Sequence, residues 1–377
     1  MHIALAVDHD RLRAEHDWFS RTVVGLLAGG NQVVRLLPRA APDDPRLSLA
    51  PAIRLPGRVV PWLGVSAWDR AADALLERSI DVIHVYGSSL WNTAFQIAAR
   101  NRTPLLLDVR SPREAHALAH WKYRNDSRTP LAFTTATPAL ARYLSGLIHR
   151  PQATESAAGP GFIHHVPVGV HLPDSPEPIL TRLPDHAAAL IAARGASWSR
   201  LKPALEGAAD VLHRFPMLLL FLDCDDALAS SAWKLARTFS LLDRLTLVPS
   251  IEQHRRGLLS ADLLLLPDPL GRASTFPLEV MAAGIPLLAL ANEFTDFSVS
   301  LEPGHRPVPP SSRATDSRRA WADAITEVLA MPEQARLRGA STRRWVHASH
   351  SMTAQLNGLF SVYSRLKGGL LLDSVVR

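Results

Sequence analysis

The chain has 377 residues, of which 47% are hydrophobic and 20% are charged, and this composition is typical of a globular protein rather than a disordered one. A chain of this length exceeds what one hydrophobic core usually holds, so two domains are expected. The formal net charge is +6, but the aromatic motifs and basic runs of nucleic-acid modules do not occur, so we expect no nucleic-acid partner.

Cysteine usage indicates a reducing compartment. The single cysteine, Cys224, cannot form an internal disulfide, and no Cys/His spacing resembles a zinc site. We therefore expect a cytoplasmic protein without a metal ion. The longest apolar runs are far shorter than the ~20 residues that span a bilayer, so no transmembrane helix is expected. The surplus of arginine leaves open a peripheral contact with the inner face of an anionic membrane.

The N-terminal half alternates short apolar runs with longer segments of helical spacing, which is typical of βαβ units and a parallel sheet. The predicted strands are 3–7, 32–37, 82–86, 104–108, 134–135 and 163–166, and the predicted helices are 17–27, 68–78, 90–99 and 138–147. Residues 171–186 are rich in proline and acidic side chains, which disfavour helices and inner strands. We predict that they link the two domains.

The same alternation restarts after residue 186. The predicted strands are 188–192, 217–223, 245–248, 263–267 and 286–289, and the predicted helices are 202–215, 229–239, 251–260 and 278–283. The prolines of 303–316 predict a loop, followed by helices 318–329, 333–348 and 351–367 and a frayed tail at 368–377. The whole pattern predicts an α/β protein with two doubly wound, Rossmann-like domains.

One strand end carries the side chains of a candidate ligand site. Ligands of open parallel sheets bind outside the carboxyl ends of the strands, and the strand 263–267 leads to Ser274 and Thr275 at a predicted helix N-cap. Their hydroxyls and the following N–H groups suit a phosphate. Glu279 falls in the first helical turn, where its carboxylate can accept hydrogen bonds from ribose hydroxyls. For an isolated match, an ordinary cap with a dipole partner is the commoner explanation.

The residues that follow Glu279 indicate a resemblance to a known protein family. From Pro277 to Pro286 the chain reads Pro-Leu-Glu-Val-Met-Ala-Ala-Gly-Ile-Pro, and this order resembles the donor-site helix of family 4 glycosyltransferases of the GT-B type (glycosyl transferases group 1). The segments 81–85, 134–144, 165–171 and 338–363 are similar to other segments of that family and occur in the same order. The resemblance implies two Rossmann-like domains that face each other across a cleft. The acceptor domain is then 1–172, completed by a last helix at 351–377, and the donor domain is 173–350.

The resemblance also implies roles for charged residues. In such enzymes an Arg and a Lys near the start of the donor domain neutralise the donor diphosphate as it departs. Lys202 and Arg194 occupy that place, Lys202 at the start of the predicted helix 202–215, and Arg200 is the alternative partner. His84 is a catalytic candidate of the acceptor domain. No cofactor is implied, because a nucleotide-diphosphate sugar is the co-substrate, and the acceptor is a sugar, a lipid-linked molecule or a small molecule.

Three departures from the family pattern keep other functions open. Gly271 stands where the family has a second glutamate, residues 12–16 replace a Gly-Gly loop, and Asp108-Val109-Arg110 replaces Thr-Val-His. In a retaining glycosyltransferase the β-phosphate can accept the acceptor proton, so activity does not require that histidine. One alternative is a catalytically silent homologue that acts as a binding or scaffolding protein. The other is a sugar-phosphate epimerase, which is disfavoured because the sequence shows no second carboxylate–histidine pair at matched strand ends.

Overall fold

The computed structural model describes residues 1–41, 44–55, 65–122, 129–148, 163–171, 186–248, 261–268, 275–290, 305–308 and 314–375. The chain divides into two compact units. Unit 1 comprises Met1–Gly169 and Met352–Arg377, and unit 2 comprises Val170–Ser351. Most of the predicted linker and the predicted helix 251–260 lie outside the described residues.

The secondary structure alternates strands and helices along both units. In chain order the strands are β1 (His2–Val7), β2 (Gln32–Pro38), β3 (Ala52–Leu55), β4 (Val82–Tyr86), β5 (Leu105–Val109), β6 (Leu131–Thr135), β7 (Ile163–His165), β8 (Ala187–Ala193), β9 (Leu218–Cys224), β10 (Leu245–Leu247), β11 (Leu263–Leu266), β12 (Leu287–Leu290) and β13 (His305–Val308). The helices are α1 (His9–Ala14), α2 (His16–Ala28), α3 (Val65–Leu76), α4 (Trp91–Asn101), α5 (Pro112–Ala119), α6 (Pro138–Ile148), α7 (Trp198–Val211), α8 (Asp226–Thr238), α9 (Phe276–Ala282), α10 (Ala314–Ala330), α11 (Pro332–Ser349) and α12 (Met352–Val375).

Unit 1 is built on a parallel sheet of order β3-β2-β1-β4-β5-β6-β7. Strands β4 and β5 are buried along their whole length, as expected where helices cover both faces of a parallel sheet. The strand order reverses between β1 and β4, where Val7 pairs with Tyr86. Such a reversal is the place at which doubly wound sheets bind ligands.

Unit 2 repeats this organisation with the order β10-β9-β8-β11-β12-β13. Its inner strands β8, β11 and β12 are apolar, and all four residues of β11 are buried. The reversal lies between β8 and β11, where Leu265 pairs with Ile191. Two doubly wound, Rossmann-like sheets are therefore present, and this part of the sequence prediction is confirmed.

Two predictions about the C-terminal region were wrong. Residues 305–308 form strand β13 within the predicted loop, since an edge strand tolerates proline where no ladder hydrogen bond is needed. The predicted frayed tail is instead helical as far as Val375, although Gly368 and Gly369 each cost about 1 kcal/mol in a helix.

Three short elements of unit 1, β3, α1 and α5, were not predicted. Helix α5 nevertheless carries a readable start signal, because Ser111 accepts a hydrogen bond from the Glu114 N–H and Pro112 opens the helix. The Asp8 side chain likewise accepts from the Arg11 N–H at the start of α1. Hydrophobic periodicity missed these helices because eight and six residues are too few to show it.

His84 lies inside the hydrophobic core of unit 1, in the middle of β4 rather than at its end. Its side chain is 0% exposed. Its Nδ1 atom lies 2.8 Å from the Tyr363 hydroxyl and 3.0 Å from the Tyr86 hydroxyl. Burial lowers the pKa of His84 to about 3, although the nearby Asp108 acts in the opposite direction. This neutral, enclosed side chain has the surroundings of a packing residue, and its place within β4 differs from the strand-end position expected of a catalytic candidate.

Two glycines fix the packing of α9 against α11 in unit 2. Gly284 ends the α9 turn with φ +81°, a conformation that favours glycine. Gly339 lies in the middle of α11, and a Cβ atom added to it would overlap the carbonyl oxygen of Gly284. The two backbones therefore meet at a distance that only glycine allows.

The buried state of His84 predicts an acid-dependent loss of stability. The unfolded state takes up a proton near the ordinary pKa of 6.5 while the folded state does so only near 3, so stability decreases as the pH falls from 6.5 towards 3. Between pH 6.5 and pH 5 the free energy of unfolding falls in the wild type because of His84. We expect this fall to be about 1.5 kcal/mol smaller in His84→Gln. Urea denaturation at several pH values measures this, and parallel curves for the two proteins would contradict it.

The glycine contact predicts opposite effects for two equivalent substitutions. We expect Gly339→Ala to lower the free energy of unfolding by about 1–3 kcal/mol, because the added methyl group forces α9 and α11 apart. Gly146→Ala in α6 is the matched control, since no atom of the described residues lies within 4 Å of its added Cβ, and it should be neutral or stabilising by about 1 kcal/mol. Chemical denaturation of both variants decides the point, and a gain in stability for Gly339→Ala would refute the close contact.

Candidate functional site

The carboxyl edge of the unit 2 sheet carries the predicted cation Arg194. Arg194 directly follows β8, and its Nε atom lies 2.5 Å from Oδ1 of Asp223 near the end of the neighbouring β9. The Asp223 side chain is 3% exposed whereas that of Arg194 is 40% exposed. A buried carboxylate thus holds a guanidinium group that emerges at the edge of the sheet.

Two further carboxylates hold the turn that leads from β8 into α7. The Gly195 N–H donates to Asp225 Oδ2 at 2.7 Å, and the Ser197 N–H donates to Asp268 Oδ2 at 3.1 Å. Asp225 follows β9 and Asp268 follows β11, so the turn is held from both neighbouring strands. We call Asp223, Asp225 and Asp268 the carboxylate clamp. The sequence offered one signal for it, which is an acidic residue directly at or after each strand end.

The thiol of Cys224, beside the clamp, is unreactive at neutral pH. Cys224, the last residue of β9, is buried, and this burial together with the adjacent carboxylate of Asp223 raises the pKa of its thiol to about 11. The thiol is therefore protonated at neutral pH and is a poor nucleophile.

Arg200 and Lys202 lie on α7, which begins at Trp198. Lys202 therefore lies in the second turn of this helix, and the prediction that the helix starts at Lys202 was wrong. The helix starts earlier because Ser197 takes an extended N-cap conformation. Both side chains are exposed, and the Lys202 Nζ atom lies 3.8 Å from Glu206 Oε1. An exposed pair of this kind contributes at most about 1 kcal/mol, so Lys202 can turn to another partner.

Helix α9 carries the predicted nucleotide-binding residues. Thr275 occupies the N-cap, but its side chain makes no capping hydrogen bond and is 0% exposed. Glu279 lies in the first turn with a half-buried side chain, and its N–H donates to the Thr275 carbonyl at 3.0 Å. Ser274 and Gly271 lie outside the described residues. Glu279 is therefore the residue of this helix with both a polar group and access to solvent.

The order of the strands relates these residues to one another. Arg194 and Asp268 follow β8 and β11, the two strands at which the order of unit 2 reverses, and α9 comes after β11 in the chain. Of the predicted donor residues, Arg194 thus lies in the connection from β8 to α7. Arg200 and Lys202 lie in the first two turns of α7, and Glu279 lies in the first turn of α9. His84 belongs to unit 1 and lies in its interior.

The corresponding edge of unit 1 holds a buried network of charges. Arg110 follows β5, and its Nε atom donates to Asp108 at 2.6 Å while Nη1 donates to Glu15 at 3.0 Å. Its guanidinium carbon also lies 4.0 Å from the centre of the Trp18 ring, a geometry that adds cation–π attraction. Thr134 donates to the second oxygen of Asp108 at 3.2 Å. Arg110, which stands where the resembled family has a histidine, is held firmly by its own chain.

A second arginine completes this network. Arg11 is buried and reaches Glu15 at 3.5 Å and Glu114 at 3.4 Å. Burial by itself lowers the pKa of Arg11, but the two carboxylates outweigh this effect and keep it above its ordinary value. Burial raises the pKa of Glu114. Two guanidinium groups thus share three carboxylates, because Asp108 belongs to the same network, and each cation has carboxylate partners within its own chain.

Metal and membrane features were searched over the same described residues. Within them, no three His, Cys, Asp or Glu side chains are grouped so that they could hold a metal ion. Nor does any helix among them have the length and apolarity needed to cross a bilayer.

Comparisons with known proteins place this geometry in a fold. No protein-family model matches the chain, and no curated protein matches it in sequence. A glycosyltransferase from Rickettsia africae is similar in structure, with a TM-score of 0.71 at 13% identity over 97% of this chain and 98% of its own. A sucrose-phosphate synthase from Thermosynechococcus elongatus gives a TM-score of 0.72 at 20% identity over 98% of this chain and 100% of its own.

A third structure adds a bound nucleotide. HepE from Anabaena, solved with UDP and glucose, gives a TM-score of 0.69 at 11% identity over 97% of this chain and 100% of its own. Identities this low establish the fold alone. The finer resemblance to family 4 stays a prediction. The chain has the GT-B fold, composed of two Rossmann-like α/β domains.

Proposed function

We propose that the chain is a glycosyltransferase that moves a sugar from a nucleotide-diphosphate sugar to an acceptor bound by unit 1. The observation that carries this proposal is Arg194, a partly exposed cation at the strand reversal of unit 2. A guanidinium at this point matches the need of the reaction, which is to stabilise negative charge on a departing diphosphate. The GT-B fold and the UDP-bound HepE structure support the proposal.

Each residue of unit 2 takes a role in this proposal. Arg194 and Lys202 neutralise the diphosphate. Arg200 is the alternative cation, because it is exposed on α7 two residues before Lys202. Glu279 accepts hydrogen bonds from the ribose hydroxyls. Ser274 and Thr275 contribute through backbone N–H groups, since the Thr275 side chain is buried. Transfer with retention is favoured, with the β-phosphate accepting the acceptor proton, because His84 is enclosed in the core of unit 1.

The acceptor is defined less narrowly than the donor. A sugar, a lipid-linked molecule and a small molecule all remain candidates, and peripheral contact with an anionic membrane surface belongs to the lipid-linked case. No cofactor besides the nucleotide-diphosphate sugar is needed for the transfer that we propose.

The silent-homologue alternative rests on the carboxylate clamp and on Gly271. Two N–H groups at the strand reversal already donate to Asp225 and Asp268, and a glycine replaces one glutamate of the resembled motif. Incubation of a large excess of protein with UDP-, GDP- and ADP-sugars separates the two functions. Release of free sugar excludes the silent homologue, since a competent donor site transfers some sugar to water.

The proposed ribose contact predicts the effect of removing Glu279. We expect UDP, GDP or ADP to raise the thermal midpoint of the wild type, and Glu279→Ala to weaken nucleotide binding by roughly tenfold or more, as for a lost hydrogen bond to a charged group. Thermal-shift and calorimetric titrations measure both effects.

The control for this experiment is Glu333→Ala. Glu333 also lies in the first turn of a helix of unit 2, but its side chain is 81% exposed and pairs with Arg336. It should leave nucleotide binding unchanged. The proposal fails if no nucleotide of the panel stabilises the wild type, and the role of Glu279 fails if both variants bind nucleotide equally.

A further inference from the structure

We infer that Asp223 is a positioning residue, which holds Arg194 in the orientation that binds a diphosphate group. The inference rests on the proposed function for its ligand, and it assigns a role to a residue that does not itself touch that ligand. It also explains why a carboxylate lies beside a cation that is proposed to bind an anion.

The position of Asp223 in the sheet makes it a rigid anchor. Asp223 pairs with Ala192 in the parallel ladder between β8 and β9, two residues before Arg194. Its backbone is therefore fixed by the sheet, and its side chain is enclosed at 3% exposure. A carboxylate in such surroundings is strongly destabilised without a cationic partner. Asp223 thus restricts Arg194 far more than a surface carboxylate would.

The Arg194 side chain stays accessible to solvent within the pair. The contact with Asp223 uses Nε of the guanidinium. The cation is 40% exposed although its partner is enclosed. An ion pair that only stabilises the fold does not need one exposed partner, whereas a cation that binds a ligand must be exposed to solvent.

The backbone of Arg194 is held as well as its side chain. Gly195 takes φ +74° and donates its N–H to Asp225, and Ser197 donates its N–H to Asp268. The carboxylate clamp thus fixes the turn on both sides of the strand reversal. Pre-organised charge of this kind costs no rearrangement when the ligand arrives.

The charge of Asp223 also has an opposite effect, and this makes the inference testable. A negative group next to Arg194 reduces the attraction between Arg194 and a diphosphate. If Asp223 merely neutralises Arg194, then Asp223→Asn strengthens diphosphate binding. If Asp223 positions Arg194, the same substitution weakens diphosphate binding. The two roles therefore predict changes of opposite sign.

The experiment titrates the best-binding nucleoside diphosphate, its nucleoside and inorganic pyrophosphate into the full chain by calorimetry. The variants are Asp223→Asn, Arg194→Met and the double variant, and Asp226→Asn is the control because it removes an exposed carboxylate from the first turn of α8. We expect Asp223→Asn to weaken nucleoside diphosphate and pyrophosphate by about tenfold, as for coupled groups in contact. Nucleoside affinity should stay unchanged, and so should every affinity of the control.

The double variant identifies the route of the effect. Because Asp223 acts through Arg194, we expect Asp223→Asn to cause no further loss in the Arg194→Met background. Tighter diphosphate binding, an equal loss for the nucleoside or additive losses in the double variant would each overturn the inference. If Asp223→Asn does not fold, as judged by circular dichroism, Arg194→Lys replaces it. We expect about tenfold weaker diphosphate binding from this variant, since lysine lacks the planar fork that Asp223 orients; equal binding overturns the inference.

Failure of the inference and failure of the proposed function give different results. Binding of pyrophosphate without binding of any nucleotide refutes the nucleotide-sugar site, and the series with pyrophosphate then decides the role of Asp223 by itself. Binding of neither ligand to the wild type overturns both.

Discussion

Every strand pair described in the two sheets is parallel, and this constraint decides where polar groups can lie. Helices cover both faces of such a sheet, so the inner strands are buried along their length, as β11 and β5 are, and apolar residues dominate them. Charged side chains are consequently displaced to the strand ends. Because all carboxyl ends meet at one edge, the polar residues of distant segments become neighbours there.

The two units use this edge in different ways. In unit 1 the charges of Arg11 and Arg110 are matched by enclosed carboxylates, and Trp18 covers one guanidinium. In unit 2 the cation Arg194 has an enclosed partner but is itself partly exposed. The same physical demand, that a buried charge needs a partner, thus yields a closed network in one sheet and a cation directed to solvent in the other.

The GT-B fold and the site in unit 2 give a consistent chemical picture. A diphosphate leaving group needs fixed positive charge, and a ribose needs an acceptor for its hydroxyls. In the function that we propose, Arg194 supplies the first feature and Glu279, in the first turn of α9, supplies the second. Under the same proposal the clamp carboxylates repel an anionic donor while they orient Arg194 for it, so donor affinity would depend on the balance between the two effects.

The sequence by itself determined most strands and helices, the presence of two doubly wound domains and the helix that carries Glu279, because each of these depends on local apolar spacing or on nearby capping residues. Only the tertiary structure decided that β13 pairs at a sheet edge and that His84 is enclosed by Tyr86 and Tyr363. It also decided that Arg194 is held by a carboxylate 29 residues away. Such contacts join segments that are remote in the chain, and no local pattern records which strand will lie beside which.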